Sequence, residues 1–143
     1  MTLPAYFLDT NILVAAFLIE KSDARRLLEL GRARKVRLLT SEYVLRELRF
    51  TLPKKIRVPT DIVDSFVLDV ISLRVLILKK PSRQEVRAFT WRAKDRSDIP
   101  IILPCVKHRL TLVTMDRRLA KSARERIEVR SPRQAVREIS GSG

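Results

Sequence analysis

One cysteine and one histidine are present in 143 residues, and 16 aspartates and glutamates stand against 30 lysines and arginines. Each scarcity closes off a class of function. A lone Cys105 cannot form an internal disulfide and a lone His108 cannot build a histidine-rich zinc cluster, which argues against a secreted disulfide scaffold and a zinc enzyme. Apolar runs such as 66–68 and 75–78 stop far short of the roughly 20 residues that span a bilayer, and no signal-peptide pattern opens the sequence. The expectation is a cytoplasmic protein with no membrane segment.

What is abundant is apolar and basic. Hydrophobic residues make up 45% of the chain, enough for one core in a domain whose length buries about 70% of the unfolded surface. The net charge is +14, and arginine outnumbers lysine 21 to 9. Such an excess favours a polyanionic partner, because neutralising phosphates releases condensed counterions. The planar guanidinium suits bidentate phosphate contacts. Nucleic acid is the natural candidate, although the basic residues are spread along the chain and no aromatic-basic RNA-binding signature is visible.

Apolar runs of four or five residues alternate with longer amphipathic stretches, the pattern of strands and helices in a mostly parallel α/β sheet. Strand 5–8 ends at Asp9, and helical stretches follow over 12–18 and 23–33. Strand 36–39 precedes a helix capped by Ser41 and terminated by Pro53. Thr60 caps a helix to about 71, and strand 75–78 is closed by Pro81. Helices are expected over 82–94, with Phe89 as a packing residue, and from 97 to about 109. Strand 110–115, helix 117–126, strand 127–129 and helix 132–139 complete about five strands. Residues 1–140 are expected to form one domain, with 141–143 a flexible end or expression remnant.

In so basic a chain the carboxylates are informative. Asp9 and Asp116 each follow a hydrophobic strand, at the edge where open α/β sheets bind ligands; each also has a plain role as the cap of the next helix. Within the Ser41 helix, Val44, Leu45, Leu48 and Leu52 set an apolar stripe. Glu42 falls on the solvated side with Arg46 and Arg49, whereas Glu47 lies on the shoulder of the stripe, where its carboxylate reaches the edge of the core. Asp95 and Asp98 precede the apolar segment 99–103, and Asp98 is the closer. Four acids brought together repel one another, and burying them unpaired is expensive. A bound cation resolves this: hard oxygen donors without histidine or cysteine select Mg²⁺ or Mn²⁺ over zinc. Such ions support phosphodiester hydrolysis.

The segments Phe7-Leu8-Asp9-Thr10-Asn11-Ile12-Leu13, Ser41-Glu42-Tyr43-Val44-Leu45-Arg46-Glu47-Leu48, Asp98 before Ile101-Ile102, and Leu112-Val113-Thr114-Met115-Asp116-Arg117-Arg118-Leu119 resemble, in order and spacing, the four motifs of PIN-domain ribonucleases of the VapC-like and PilT N-terminus-like kind. The resemblance covers residues 5 to about 120. It implies a three-layer α/β/α sandwich with a parallel five-stranded sheet, and Mg²⁺- or Mn²⁺-dependent cleavage of RNA. Asp9, Glu47, Asp98 and Asp116 would be the catalytic, metal-binding acids, with Asn11 and Thr114 as supporting polar positions. Many members are VapC-type toxins paired with an antitoxin, others process RNA, and homodimers are expected. The chain departs from the family where Leu103-Pro104-Cys105 replaces small residues after the third acid. A kink at Pro104 would let Asp95 substitute for Asp98. Lys54, Lys55 and Arg57, in a connection spanning 50–59, and Arg117 and Arg118 are candidate RNA contacts; Trp91 lies among further basic residues.

Two other readings use the same features. A catalytically silent RNA-binding module would keep the fold and the basic surface without turnover. A phosphohydrolase of the haloacid-dehalogenase type wants Asp-x-Asp after its first strand, and Asp9-Thr10-Asn11 lacks the second aspartate. Cys105 is expected to be a buried small hydrophobe, and His108 a surface residue at a helix end.

Overall fold

The structure is a computed structural model and describes residues 3–89 and 96–141, with the side chain of Arg96 left aside. Five strands, β1 (Ala5–Leu8), β2 (Arg37–Ser41), β3 (Leu76–Leu78), β4 (Thr111–Val113) and β5 (Val129–Arg130), form one sheet in the order β3-β2-β1-β4-β5. Every pairing is parallel, so each connection must cross over, and helices do so on both faces. They are α1 (Thr10–Leu18), α2 (Asp23–Arg32), α3 (Glu42–Lys55), α4 (Thr60–Ser72), α5 (Arg83–Ala88), α6 (Ile99–His108), α7 (Arg117–Ala123) and α8 (Pro132–Gly141), with a 3₁₀ turn at Arg96–Asp98. The three-layer α/β/α arrangement expected from the sequence is the one observed.

The central strands are apolar on both faces, as a sheet covered by helices on both sides requires: Phe7, Leu8, Leu112 and Val113 are all fully buried. Gly31 lets α2 lie directly on β2, since a Cβ there would stand 2.6 Å from Leu38 Cδ1. The order reverses between β1 and β4. That switch point opens a crevice at the carboxyl ends of the strands, so Asp9 and Asp116 follow the two strands that flank it.

Several expected boundaries move, each for a local reason. α3 runs through Pro53 to Lys55, with the Ile56 N–H donating to Leu52 O. So close to a helix end, the missing proline N–H costs a single bond and the chain goes on. The expected connection 50–59 therefore shrinks to 56–59. Pro104 is likewise accommodated inside α6 and buried. α7 stops at Ala123, and the Ile127 N–H donates to Ala123 O; with that donor spent on the helix end, β5 starts two residues later than expected. α5 opens on a complete capping box between Ser82 and Glu85 and ends at Ala88, because Phe89 turns extended at ψ 99. The remainder of the expected helix 82–94, with Trp91 and Asp95, lies outside the described residues. At the other end α8 extends to Gly141, one residue into the expected tail. Cys105 is buried, and the burial pushes its thiol pKa up; His108 is exposed in the last turn of α6, both as expected.

Candidate active site

Asp9 leaves β1 and caps α1 in extended conformation. Only 6% of it is exposed. Its Oδ1 accepts from the Thr10 N–H at 2.6 Å, and its Oδ2 accepts from the Thr114 hydroxyl at 2.8 Å. Thr114 follows the neighbouring strand β4 and is itself buried. Its oxygen also accepts the Asp116 N–H at 3.1 Å, so one threonine ties the two strand ends together. Asp116 caps α7, with Oδ1 accepting from the N–H groups of Arg118 and Leu119 at 3.0 and 3.1 Å. The plain capping role of both acids is therefore real, and their strand-end placement comes with it.

Glu47 approaches from α3. It is half-buried, on the shoulder of the apolar stripe that Val44, Leu48 and Leu52 bury, while Glu42 is exposed. The Thr10 hydroxyl donates to Glu47 Oε1 at 3.1 Å. Thr10 is the residue that sequence reasoning passed over, although it stood within the first motif beside Asp9; its partner lies 37 positions away. Asn11 is exposed in the first turn of α1.

Asp98 is placed differently. It heads α6 without a side-chain capping bond and is 6% exposed. Arg118 forks onto it, Nη1 to Oδ2 at 2.7 Å and Nη2 to Oδ1 at 3.1 Å. Such a bidentate, charge-assisted pair is the strong form of this contact. The second Arg118 nitrogen stands 4.0 Å from Asp116 Oδ2.

Burial raises the Asp9 pKa; hydrogen bonds from Thr114 and Thr10 oppose this, and the charges of Asp116 and Asp98 add to it. Glu47 is raised chiefly by burial, with the Thr10 bond lowering it, Asp9 raising it and Lys55 lowering it. Lys54 and Lys55 close the last turn of α3, where cations suit the helix dipole. The Lys54 ammonium lies 5.7 Å from the centre of the Phe50 ring. Arg57 takes a left-handed φ of 52 in the turn that follows. Phe89 packs against the core, with the Arg126 guanidinium 5.3 Å from its ring centre.

For a divalent cation the donor chemistry fits: carboxylate oxygens at one sheet edge, with mutual repulsion that a hard ion would offset. The positions are open rather than closed. Among the described residues no three His, Cys, Asp or Glu side chains are gathered tightly enough to hold an ion as they stand, and Asp98 is engaged by Arg118.

No match is found among curated proteins. Solved structures share the fold, among them the following three. The crystal structure of PAE2754 from Pyrobaculum aerophilum has a TM-score of 0.71 at 18% identity, covering 96% of this chain and 90% of that one. VapBC2 from Rickettsia felis, bound to a DNA fragment from its promoter, gives 0.63 at 22% identity over 89% of this chain and 98% of that one. FitAcB from Neisseria gonorrhoeae gives 0.56 at 19% identity over 89% and 97%. No helix among the described residues is long and apolar enough to cross a membrane. The family model of the PIN domain matches residues 5–118, a span that carries Asp9, Glu47, Asp98 and Asp116. The chain belongs to the PIN domain family.

Proposed function

We propose that this protein is a metal-dependent endoribonuclease that hydrolyses RNA phosphodiesters, with Asp9, Glu47, Asp98 and Asp116 as the acids that hold Mg²⁺ or Mn²⁺. One observation carries the reading: Thr114 joins Asp9 to Asp116 across the switch point of the sheet, while Thr10 joins Glu47 to the same strand end. A bound ion of this kind polarises a phosphodiester oxygen and lowers the pKa of water. The residues of the chain set the geometry. Thr10 and Thr114 aim carboxylates without neutralising them, Asp116 holds the first turn of α7, and burial by β1 and β4 keeps water away from Asp9. Lys54, Lys55, Arg57, Arg117 and Arg118 are proposed RNA contacts, Asn11 lines the exposed mouth, and Asp95 remains the alternative third acid.

The likeness to VapBC2 and FitAcB supports the toxin of a toxin-antitoxin pair with an antitoxin as partner; location in the cytoplasm and a homodimer of one-domain chains (residues 1–140) are proposed with it. An RNA-processing nuclease is the other role. Growth arrest on expression, relieved by a co-encoded protein, separates the two. The first experiment is cleavage of a structured RNA with Mg²⁺, with Mn²⁺ and with chelator. Metal-dependent cleavage is expected from wild type and a loss of more than about 100-fold from Asp9→Asn; cleavage that persists in Asp9→Asn and in Asp116→Asn overturns the proposal. The Arg118–Asp98 pair favours a second reading, a silent RNA-binding module. It predicts salt-dependent RNA binding with no turnover under any metal.

A further inference from the structure

Beside Asp116, α7, β5 and the start of α8 enclose a groove of about 610 Å³. Arg117, Lys121 and Arg124 line it. They are spaced i, i+4, i+7, which at 3.6 residues per turn puts Arg117 and Lys121 on one face of α7 and Arg124, the residue that caps its end in helical conformation, in line with them, about 10 Å from end to end along the axis. Like charges so spaced destabilise a helix. Among the described residues, none of the ion pairs engages these three cations. Arg130, on the opposite wall, is by contrast tied to Glu128 and Glu138. Asp116 is the one carboxylate among the residues lining the groove. Next to it Met115 is 49% exposed, a polarizable apolar surface at the lip of the acidic centre. A row of unpaired cations running up to an acid, with an apolar step where they meet, has the features that bind a single strand: charge along the phosphates and a dry face for a base.

We propose that this groove seats the nucleotides flanking the bond that is cut, with successive phosphates of a single-stranded RNA along Arg117, Lys121 and Arg124 and the base nearest Asp116 packed on Met115. The position relative to the cut rests on the nuclease reading; the binding does not, since it needs no metal.

The test is fluorescence anisotropy of a labelled single-stranded oligoribonucleotide, in chelator, over a salt series. The variant Arg117→Gln, Lys121→Gln, Arg124→Gln is compared with Arg32→Gln, Arg34→Gln, Lys35→Gln. The latter lie between the end of α2 and the start of β2, at the amino end of the parallel strands and away from the groove, and remove the same charge. Each single-strand phosphate contact contributes about 0.7 to the slope of log affinity against log salt, so the groove variant is expected to flatten that slope by about 2. Between about 50 and about 200 mM salt, wild type then loses about 20-fold more affinity than the variant. The control is expected to keep the wild-type slope. Met115→Ala is expected to weaken binding at unchanged slope. A groove variant with the wild-type slope, or a control that flattens it equally, overturns the proposal. So does an acidic peptide that occupies the groove while RNA does not bind, which would assign it to a protein partner. Slope changes as expected with no metal-dependent cleavage by wild type would overturn the nuclease reading and leave the groove in place.

Discussion

The two halves of the acidic centre are held by opposite chemistry. On the β1, β4 and α3 side, threonine hydroxyls and backbone N–H groups orient Asp9, Glu47 and Asp116. On the α6 side, a guanidinium orients Asp98. A hydroxyl fixes the direction of a carboxylate and leaves its charge; an arginine fixes the direction and cancels the charge. Burial accordingly raises the pKa of Asp9 and of Glu47, with the charges of Asp116 and Asp98 adding to it at Asp9 and that of Asp9 adding to it at Glu47, while Asp98 sits just as deep with a guanidinium against it. The first half stores unfavourable charge that a cation would relieve. The second half has that relief built into the chain.

Asp9→Asn cuts deepest into this contrast, in activity and in the sign of its effect on stability. In chelator, a buried carboxylate whose folded pKa is raised binds protons more tightly folded than unfolded. Stability is then fully present below the unfolded value near 4 and is lost as pH rises through the folded one. Asparagine carries no such penalty. The variant is expected to be more stable than wild type at neutral pH, with the gap closing as pH falls toward about 4, and metal is expected to stabilise only the wild type. Thermal melts across pH check this. An Asp9→Asn protein less stable than wild type at neutral pH would show that the two threonines already compensate the charge, and the contrast between the halves would fail.

Thr114→Val is the next in size. It keeps the shape and removes one oxygen, which leaves the Asp116 N–H and one Asp9 oxygen without their partner. A buried polar group so orphaned costs about 2 kcal/mol, and loss of a residue that orients a ligand costs about 10- to 100-fold in activity or metal affinity. Thr114→Ser is expected to restore both. If serine fails where threonine succeeds, the methyl packing rather than the hydroxyl bridge is what matters at this position.

How much of this was legible in the sequence depends on the range of the interaction. The strand-end placement of Asp9 and Asp116 could be read because a strand end and a helix start are local signals, and the half-burial of Glu47 could be told from the exposure of Glu42 by helical period alone. The expected sheet followed from alternation of apolar runs. Where the reading slipped, a local rule met a local exception: proline at position 53 reads as a terminator, yet in the last turn it costs one bond, so the expected basic connection is mostly helix. The pairings were invisible for a different reason. Thr10 with Glu47, and Asp98 with Arg118, depend on how α1 lies against α3 and α6 against α7, and nothing in spacing encodes that. Arg117, Lys121 and Arg124 show their common face in the sequence, but the wall opposite them comes from β5 and α8.

Arg118→Gln has the smallest expected effect and tests the half that carries its own cation. Arg118 is about half exposed, so solvent screens part of the pair. Its removal nonetheless strips two charge-assisted bonds from a buried carboxylate, for a loss of about 1–2 kcal/mol in chelator. If Asp98 is a metal ligand, Arg118 must give way when an ion arrives, and wild type spends part of its binding energy on that exchange. The variant spends none. Added Mn²⁺ is therefore expected to raise the melting temperature of Arg118→Gln by more than that of wild type, because stabilisation by a ligand follows its affinity for the folded state. Equal stabilisation of the two proteins would mean that Asp98 keeps its arginine in the metal-bound state, and that the ion is held by the threonine-oriented acids alone.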